Sequence, residues 1–219
     1  RLLFSVLSPF LLLVVLPMAE SLARIYGTEE DKVNCPFYFK IGACRHGDRC
    51  SRQHNRPHFS QTLIIPHFYQ PPPVHPQTGQ PLVNEKEHLT EFCEEVIDEL
   101  QNFGLLEEFH IVANLGEHML GNVYLKYSSE EEAERALKAL HGRFYSGRQL
   151  TVEFSPVSDF RESRCRQYDE ETCNRGAFCN FHHMRPLPSS IRKELERIRS
   201  RGHRRRRDRS RSRDRDRSD

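Results

Sequence analysis

The chain has 219 residues, 37% of them hydrophobic and 29% charged, with seven cysteines and no tryptophan. That apolar share excludes a polytopic membrane protein, and it excludes one compact enzyme domain spanning every residue, because part of the chain has too little to bury. The net charge of +2 averages three unlike blocks: residues 32–60 hold six basic residues and one acidic, 81–141 fourteen acidic and four basic, and 201–219 ten arginines and four aspartates, which points to separate partners for separate surfaces.

In chain order, residues 1–17 are nearly all apolar after Arg1 and contain Pro9, too short a run for a membrane span. The stretch reads as translated upstream sequence ahead of Met18, or as a signal-like segment, and stands apart from the fold. A first metal-ligand string follows over 35–54, Cys35-x8-Cys44-x5-Cys50-x3-His54. Its near copy lies at 165–183, Cys165-x7-Cys173-x5-Cys179-x3-His183. Three thiolates and an imidazole suit tetrahedral zinc, and a closed Cys3His set leaves no position for water, so both sites are expected to be structural. A disulfide framework is the competing reading; the odd cysteine count and the repeated histidine spacing weigh against it. His182 competes with His183 for the fourth position.

Each finger has too few residues for a core, so its fold depends on the metal and its remaining side chains are free for display. Finger one offers Phe37, Tyr38 and Phe39 beside Lys40, Arg45, Arg49 and Arg52; finger two offers Phe178 and Phe181 beside Arg166 and Arg175. Aromatic faces interleaved with arginine are the chemistry of single-stranded RNA binding. Some of these rings are expected to pack around the metal instead.

The 110 residues between His54 and Cys165 suffice for a domain of their own over 61–156. Strands are expected at 61–69, 107–113, 121–127 and 148–155. A helix is expected over 85–102 with Leu89, Phe92, Val96, Ile97 and Leu100 on one face, and Cys93 falls on that face as a core thiol rather than a nucleophile. Ser129-x-x-Glu132 opens a second helix with Ala133, Ala136, Leu137 and Leu140 inward. The order βαββαβ is the α+β arrangement of an RNA recognition motif. Laid on the aromatic strand signature of that fold, residues 120–127 put Asn122 where the first exposed ring belongs; Tyr124 remains, and Ile64 occupies the other stacking position. The first helix carries Glu85, Glu87, Glu91, Glu94, Glu95, Asp98 and Glu99. It is either a solvated acidic face or a dock for a basic peptide, and it repels phosphate. Residues 187–200 can form a short basic helix, and 201–219 is expected to be a disordered, Arg/Ser-rich tail with Ser210, Ser212 and Ser218 open to phosphorylation.

Two CCCH fingers around a degenerate recognition motif, followed by an Arg/Ser tail, resemble the small subunits of the U2 snRNP auxiliary factor, a pre-mRNA splicing family. The resemblance runs from about Met18 to the end, and 33–54, 121–127 and 155–183 carry it most specifically. It implies a nuclear, non-enzymatic heterodimer partner holding two structural zinc ions. It implies that the fingers bind the AG of a 3′ splice site in single-stranded pre-mRNA through Phe37, Arg45, Ser51 and Arg52 of finger one and Arg166, Gln167 and Phe181 of finger two. The central domain would grip a basic, Trp-bearing peptide of the large subunit through Glu91, Glu95, Asp98 and the loop Arg143-Phe144-Tyr145. Other Arg/Ser-domain proteins and kinases are further expected partners of the tail. The chain departs from the family pattern at Phe144 (Trp in the family), Tyr145 (Phe) and Pro36 (Ser). The rival readings are a CCCH regulator of mRNA turnover, against which the long spacing between fingers weighs, and a protein-interaction adaptor with purely structural fingers.

Overall fold

The computed structural model describes residues 33–215, so the apolar segment 1–17 lies outside the described residues. The central domain is a four-stranded antiparallel sheet with two helices on one side. Its strands are β1 (Thr62–Ile65), β2 (Leu106–Ile111), β3 (Val123–Tyr127) and a last strand formed by Glu153–Phe154, in the order β2-β3-β1-last strand. In finger one, α1 (Pro36–Ile41) precedes this sheet. Helices α2 (Glu85–Leu100) and α3 (Glu130–Leu140) close the βαββαβ pattern. Strand β1 stops at Ile65 because Pro66 has no N–H for the ladder, four residues short of the expected end.

Helix α2 starts at the Asn84 cap, whose side chain accepts from Lys86 N. It buries Leu89, Phe92, Cys93, Val96, Ile97 and Leu100, the face expected from its spacing. Helix α3 starts at Ser129, whose hydroxyl accepts from Glu132 N at 3.3 Å, and buries Ala133, Ala136 and Leu140. Burial pushes the Cys93 thiol up to about 12, which suits a core residue rather than a nucleophile.

The expected strand 148–155 is broken in two. Short strands β4 (Phe144–Tyr145) and β5 (Arg148–Gln149) form a hairpin of their own, and only Glu153–Phe154, β6, pairs with β1. Ser146 and Gly147 both have positive φ, the two-residue turn that matches hairpin twist. Leu150 N donates to Arg143 O and Gly142 N to Leu150 O, so the backbone of 148–150 is committed to the hairpin before the chain reaches the sheet.

Both sheet faces are buried. One face packs on α2 and α3. The other face presents Ile64 and Tyr124 to a second cluster with Ile41, Val112, Met119, Val157 and Phe160. Gly121, in the turn two residues before β3, has φ +67 and lies where a Cβ would meet Tyr69 O at 2.1 Å, so no other residue fits that close crossing of two backbones.

The last helix, α6 (Ser189–Arg215), follows two short helices, α4 (Phe160–Ser163) just ahead of finger two and α5 (Arg166–Asp169) within it. Its Ile191, Leu195 and Ile198 join the core on the helical side of the sheet. Helix α6 runs without a break into the segment 201–219, whose composition alone suggests disorder. Arginine is a strong helix former, the docked first turns supply the nucleus, and Glu194 pairs with both Arg197 and Arg201.

Candidate nucleic-acid interface

The two Cys/His strings fold into the same local structure. The first cysteine of each precedes a short helix, α1 after Cys35 and α5 after Cys165, and a 3-10 turn precedes the third, Gly47–Arg49 and Gly176–Phe178. The residue before the first cysteine bridges in parallel to the residue before the histidine, Asn34 with Gln53 and Arg164 with His182. Cys35 N donates to Gln53 O and Cys165 N to His182 O, both at 2.9 Å. A tyrosine three residues after the first cysteine lies flat on the histidine ring: Tyr38 on His54 at 4.5 Å and Tyr168 on His183 at 3.9 Å. Part of the aromatic set thus shapes the metal centres. Pro36 occupies the first turn of α1, where an N–H has no helical partner to lose.

In each centre the four ligand atoms lie within 4.8 Å of one another, and the sets are Cys35/Cys44/Cys50/His54 and Cys165/Cys173/Cys179/His183. Sulfur separations are 3.7 Å for Cys35–Cys44, 3.7 Å for Cys165–Cys173 and 3.8 Å for Cys165–Cys179. Thiolates about 2.3 Å from a tetrahedral centre stand about 3.8 Å apart, so the spacing fits zinc. The Nε2 atoms of His54 and His183 are buried with no protein partner, as a ligand nitrogen must be. Burial also holds both imidazoles below the usual histidine range, in the neutral form a metal requires. His182 belongs to neither set; its ring packs on Tyr124 at 4.7 Å, and burial pushes it down to about 3.

Both fingers sit on the sheet face that carries Tyr124. That side chain is fully buried and its hydroxyl donates to Ile41 O at 2.6 Å, so the ring that survives the strand signature anchors finger one instead of facing solvent. Gly42, with φ +73, ends α1 directly above it; a Cβ there would lie 2.7 Å from Ser155 Oγ and 3.2 Å from the Tyr124 ring. Finger two is held by Asn114, which no sequence pattern singles out: its Nδ2 donates to Cys179 O and Phe181 O, and its Oδ1 accepts from His183 N at 2.7 Å. The 110 residues that separate the fingers along the chain are therefore the platform that joins them.

Phe37 of finger one meets Phe181 of finger two edge to face, centroids 6.4 Å apart. Beside this pair lies a cavity of about 360 Å³ that brings together Phe37, Arg45, Ser51 and Arg52 with His118, from the turn before β3, and Asn180 of finger two. Phe37 remains 39% exposed. Arg166 and Gln167 are exposed on α5, outside that cavity, and Gln167 Oε1 accepts from Arg175 at 3.0 Å. Phe178, at 68% exposure, is a further displayed ring of finger two.

The acidic helix and the 143–145 hairpin meet at a second, apolar cavity of about 410 Å³ on the far side of the domain. Ile65, Phe68, Val96, Leu100, Leu140 and Leu150 form its interior, and Glu95, Asp98 and Glu99 stand at its rim. Phe144 is 73% exposed. Tyr145 packs edge-on against Phe68 at 5.1 Å, and its hydroxyl donates to Glu95 at 2.9 Å. Arg143 pairs with Glu99 at 2.6 Å. Glu91 is exposed on α2 one turn before Glu95 and does not line the cavity.

Residues 30–56 match the zinc finger family of C-x8-C-x5-C-x3-H type, and residues 93–151 match the RNA recognition motif family. The chain is 54% identical over 185 residues to a U2af small-subunit splicing factor of Arabidopsis thaliana, covering 81% of this chain and 65% of that relative. It is 52% identical over 185 residues to the splicing factor U2AF 26 kDa subunit of Rattus norvegicus, covering 81% of this chain and 84% of that protein. To the splicing factor U2af 38 kDa subunit of Drosophila melanogaster it is 48% identical over 191 residues, covering 81% and 71%. The chain thus spans slightly less than two thirds of the plant relative.

Proposed function

The chain belongs to the family of U2AF splicing-factor small subunits, an RNA-binding family, and on that premise we propose that it binds single-stranded pre-mRNA at the AG of a 3′ splice site while tethered to a large subunit in the nucleus. The observation that carries this reading is the joining of the two fingers into one surface by the sheet. Phe37 and Phe181 supply adjacent ring faces for unstacked bases, and Arg45 and Arg52 supply positive charge beside them. Two zinc ions hold the fingers in shape and take no part in chemistry. Arg166 and Gln167 extend the contact from the outer side of finger two.

The second cavity takes a basic peptide with an aromatic anchor. Its apolar interior fits a ring, and its Glu95 and Asp98 rim fits lysine or arginine flanks. Phe144 stands at its mouth where it can cover an inserted side chain. Each contact is small, so affinity for pre-mRNA arises by linking weak modules at high effective concentration.

The test is RNA selection from a random pool by the zinc-loaded chain, alone and with a basic Trp-bearing peptide bound. An AG-centred consensus that sharpens in the second arm supports the proposal. An AU-rich consensus would instead favour a regulator of mRNA turnover, and failure to retain any RNA in either arm would favour an adaptor. Covering the Phe37 and Phe181 rings with bound RNA should protect both fingers together from proteolysis, since they form one surface.

A further inference from the structure

Residues 70–77, between β1 and α2, read QPPPVHPQ and line neither cavity described above. Proline fixes its own φ near about −65° and pushes the residue before it toward the same extended region. Burial along the run repeats in threes: Pro72 is buried and His75 half-buried, while Pro71, Pro73, Val74 and Pro76 are exposed. A strand would alternate in twos; a repeat of three is that of a polyproline II helix lying with one edge on its own domain. Its other two edges, Pro71/Val74 and Pro73/Pro76, face solvent.

The run is held in this shape. Val74 bridges to Pro81, Leu82 N donates to Pro73 O at 2.8 Å, and His75 N donates to Gln80 O at 2.7 Å. Both ends are fixed, by the buried Tyr69 and by Asn84, the cap of α2. The hairpin nevertheless leaves Val74, Leu82 and Val83 at 57%, 59% and 47% exposure, an apolar patch of the kind that marks an interaction surface. The carbonyls of Pro71, Pro72 and Val74 accept no hydrogen bond from the described residues. Between Arg56 and Glu85 the chain holds no Asp, Glu, Lys or Arg, although 29% of it is charged. Phosphate has no cation to meet there, so the occupant is a protein rather than RNA.

We propose that residues 71–76 are a ligand for a proline-recognition module of another protein, of the SH3 or WW kind, whose groove is lined by Trp and Tyr rings. The two exposed edges enter the slots between those rings, and the edge with Pro72 and His75 stays on the home domain. Indole N–H and tyrosine O–H groups of the groove donate to the free carbonyls. The hairpin fixes the ligand before it binds, which lowers the ordering cost of the contact.

The test titrates the full zinc-loaded chain into a panel of purified SH3 and WW domains. The chain contains no tryptophan, so a change in tryptophan emission reports the groove alone. At least one module should give a saturable change, and a synthetic polyproline peptide should displace the chain from it; this arm needs no variant. Pro73→Ala combined with Pro76→Ala should weaken the binding about tenfold, with zinc content and RNA binding kept as the check on folding. A panel in which no groove responds overturns the proposal. A response that polyproline does not displace, or that the double variant leaves undiminished, also overturns it. So does a concentration-dependent dimer in sedimentation that the double variant abolishes, which would make the hairpin a contact between copies of this chain. None of these outcomes bears on the RNA reading.

Discussion

Tyr124 is the residue on which a finger-covered sheet and an open, RNA-binding sheet differ most. It is fully buried, its ring lies 4.7 Å from His182 and 5.8 Å from Phe160, and its hydroxyl donates to Ile41 O at 2.6 Å. Tyr124→Phe removes one buried hydrogen bond and leaves a carbonyl unpaired, a loss of about 1–2 kcal/mol. Tyr124→Ala empties a ring-sized space beneath both fingers and should cost about 3–5 kcal/mol. At about 2–4 °C per kcal/mol for a chain of this size, the alanine variant should melt roughly 10 °C lower, and the phenylalanine variant by only a few degrees. Thermal unfolding followed by circular dichroism gives the first readout, and hydrogen exchange in residues 33–54 locates the loss in finger one. On an open platform the same ring would stack a base, and its removal would weaken RNA binding without lowering stability. A Tyr124→Ala variant with wild-type melting and impaired RNA binding would refute the covered-face account.

Metal removal should act on both fingers and spare the central domain. A chelator is expected to release two equivalents of zinc and abolish RNA binding, while the sheet keeps its circular dichroism signal; Cys179→Ser should release one equivalent, measured with a colorimetric zinc indicator. Burial pushes the Cys44 thiol up to about 11 when no metal is bound, so zinc loading at neutral pH should release protons in proportion, which calorimetry in buffers of different ionisation enthalpy can count. Tyr145→Phe frees Glu95 from the tyrosine hydroxyl and should tighten binding of a basic aromatic peptide by a few-fold, with a steeper salt dependence, in isothermal titration. Gly121→Ala forces a Cβ against Tyr69 O at a positive φ and should destabilise by more than about 2 kcal/mol in chemical denaturation.

The helical faces were readable because their causes are local. Leu89, Phe92, Val96, Ile97 and Leu100 recur at helix spacing, Ser129 caps the second helix, and all take the places that pattern assigns. The broken last strand was not readable, because 148–150 satisfies the same alternation whether it pairs with β1 or folds back on 143–145; the left-handed pair Ser146 and Gly147 decides for the hairpin. Helix α6, which continues to Arg215 within the described residues, also depends on packing. Its first turns borrow stability from the core through Ile191, Leu195 and Ile198, and no count of arginines within 201–219 carries that information.

Ligand identity and spacing lie within twenty residues for each metal centre, so the sequence by itself determined both Cys3His sets and the βαββαβ order between them. Tertiary structure alone decided what these parts face. Tyr124 looks the same in sequence whether it stacks a base or anchors a finger, and only the arrival of Ile41, Val157 and Phe160 from distant segments shows that it is buried. Nor does any pattern along the chain place Asn180 beside Phe37, or Tyr145 against Glu95. Those contacts join residues tens to more than a hundred positions apart, and their geometry follows from how the sheet, the hairpin and the two metal-built fingers pack in three dimensions.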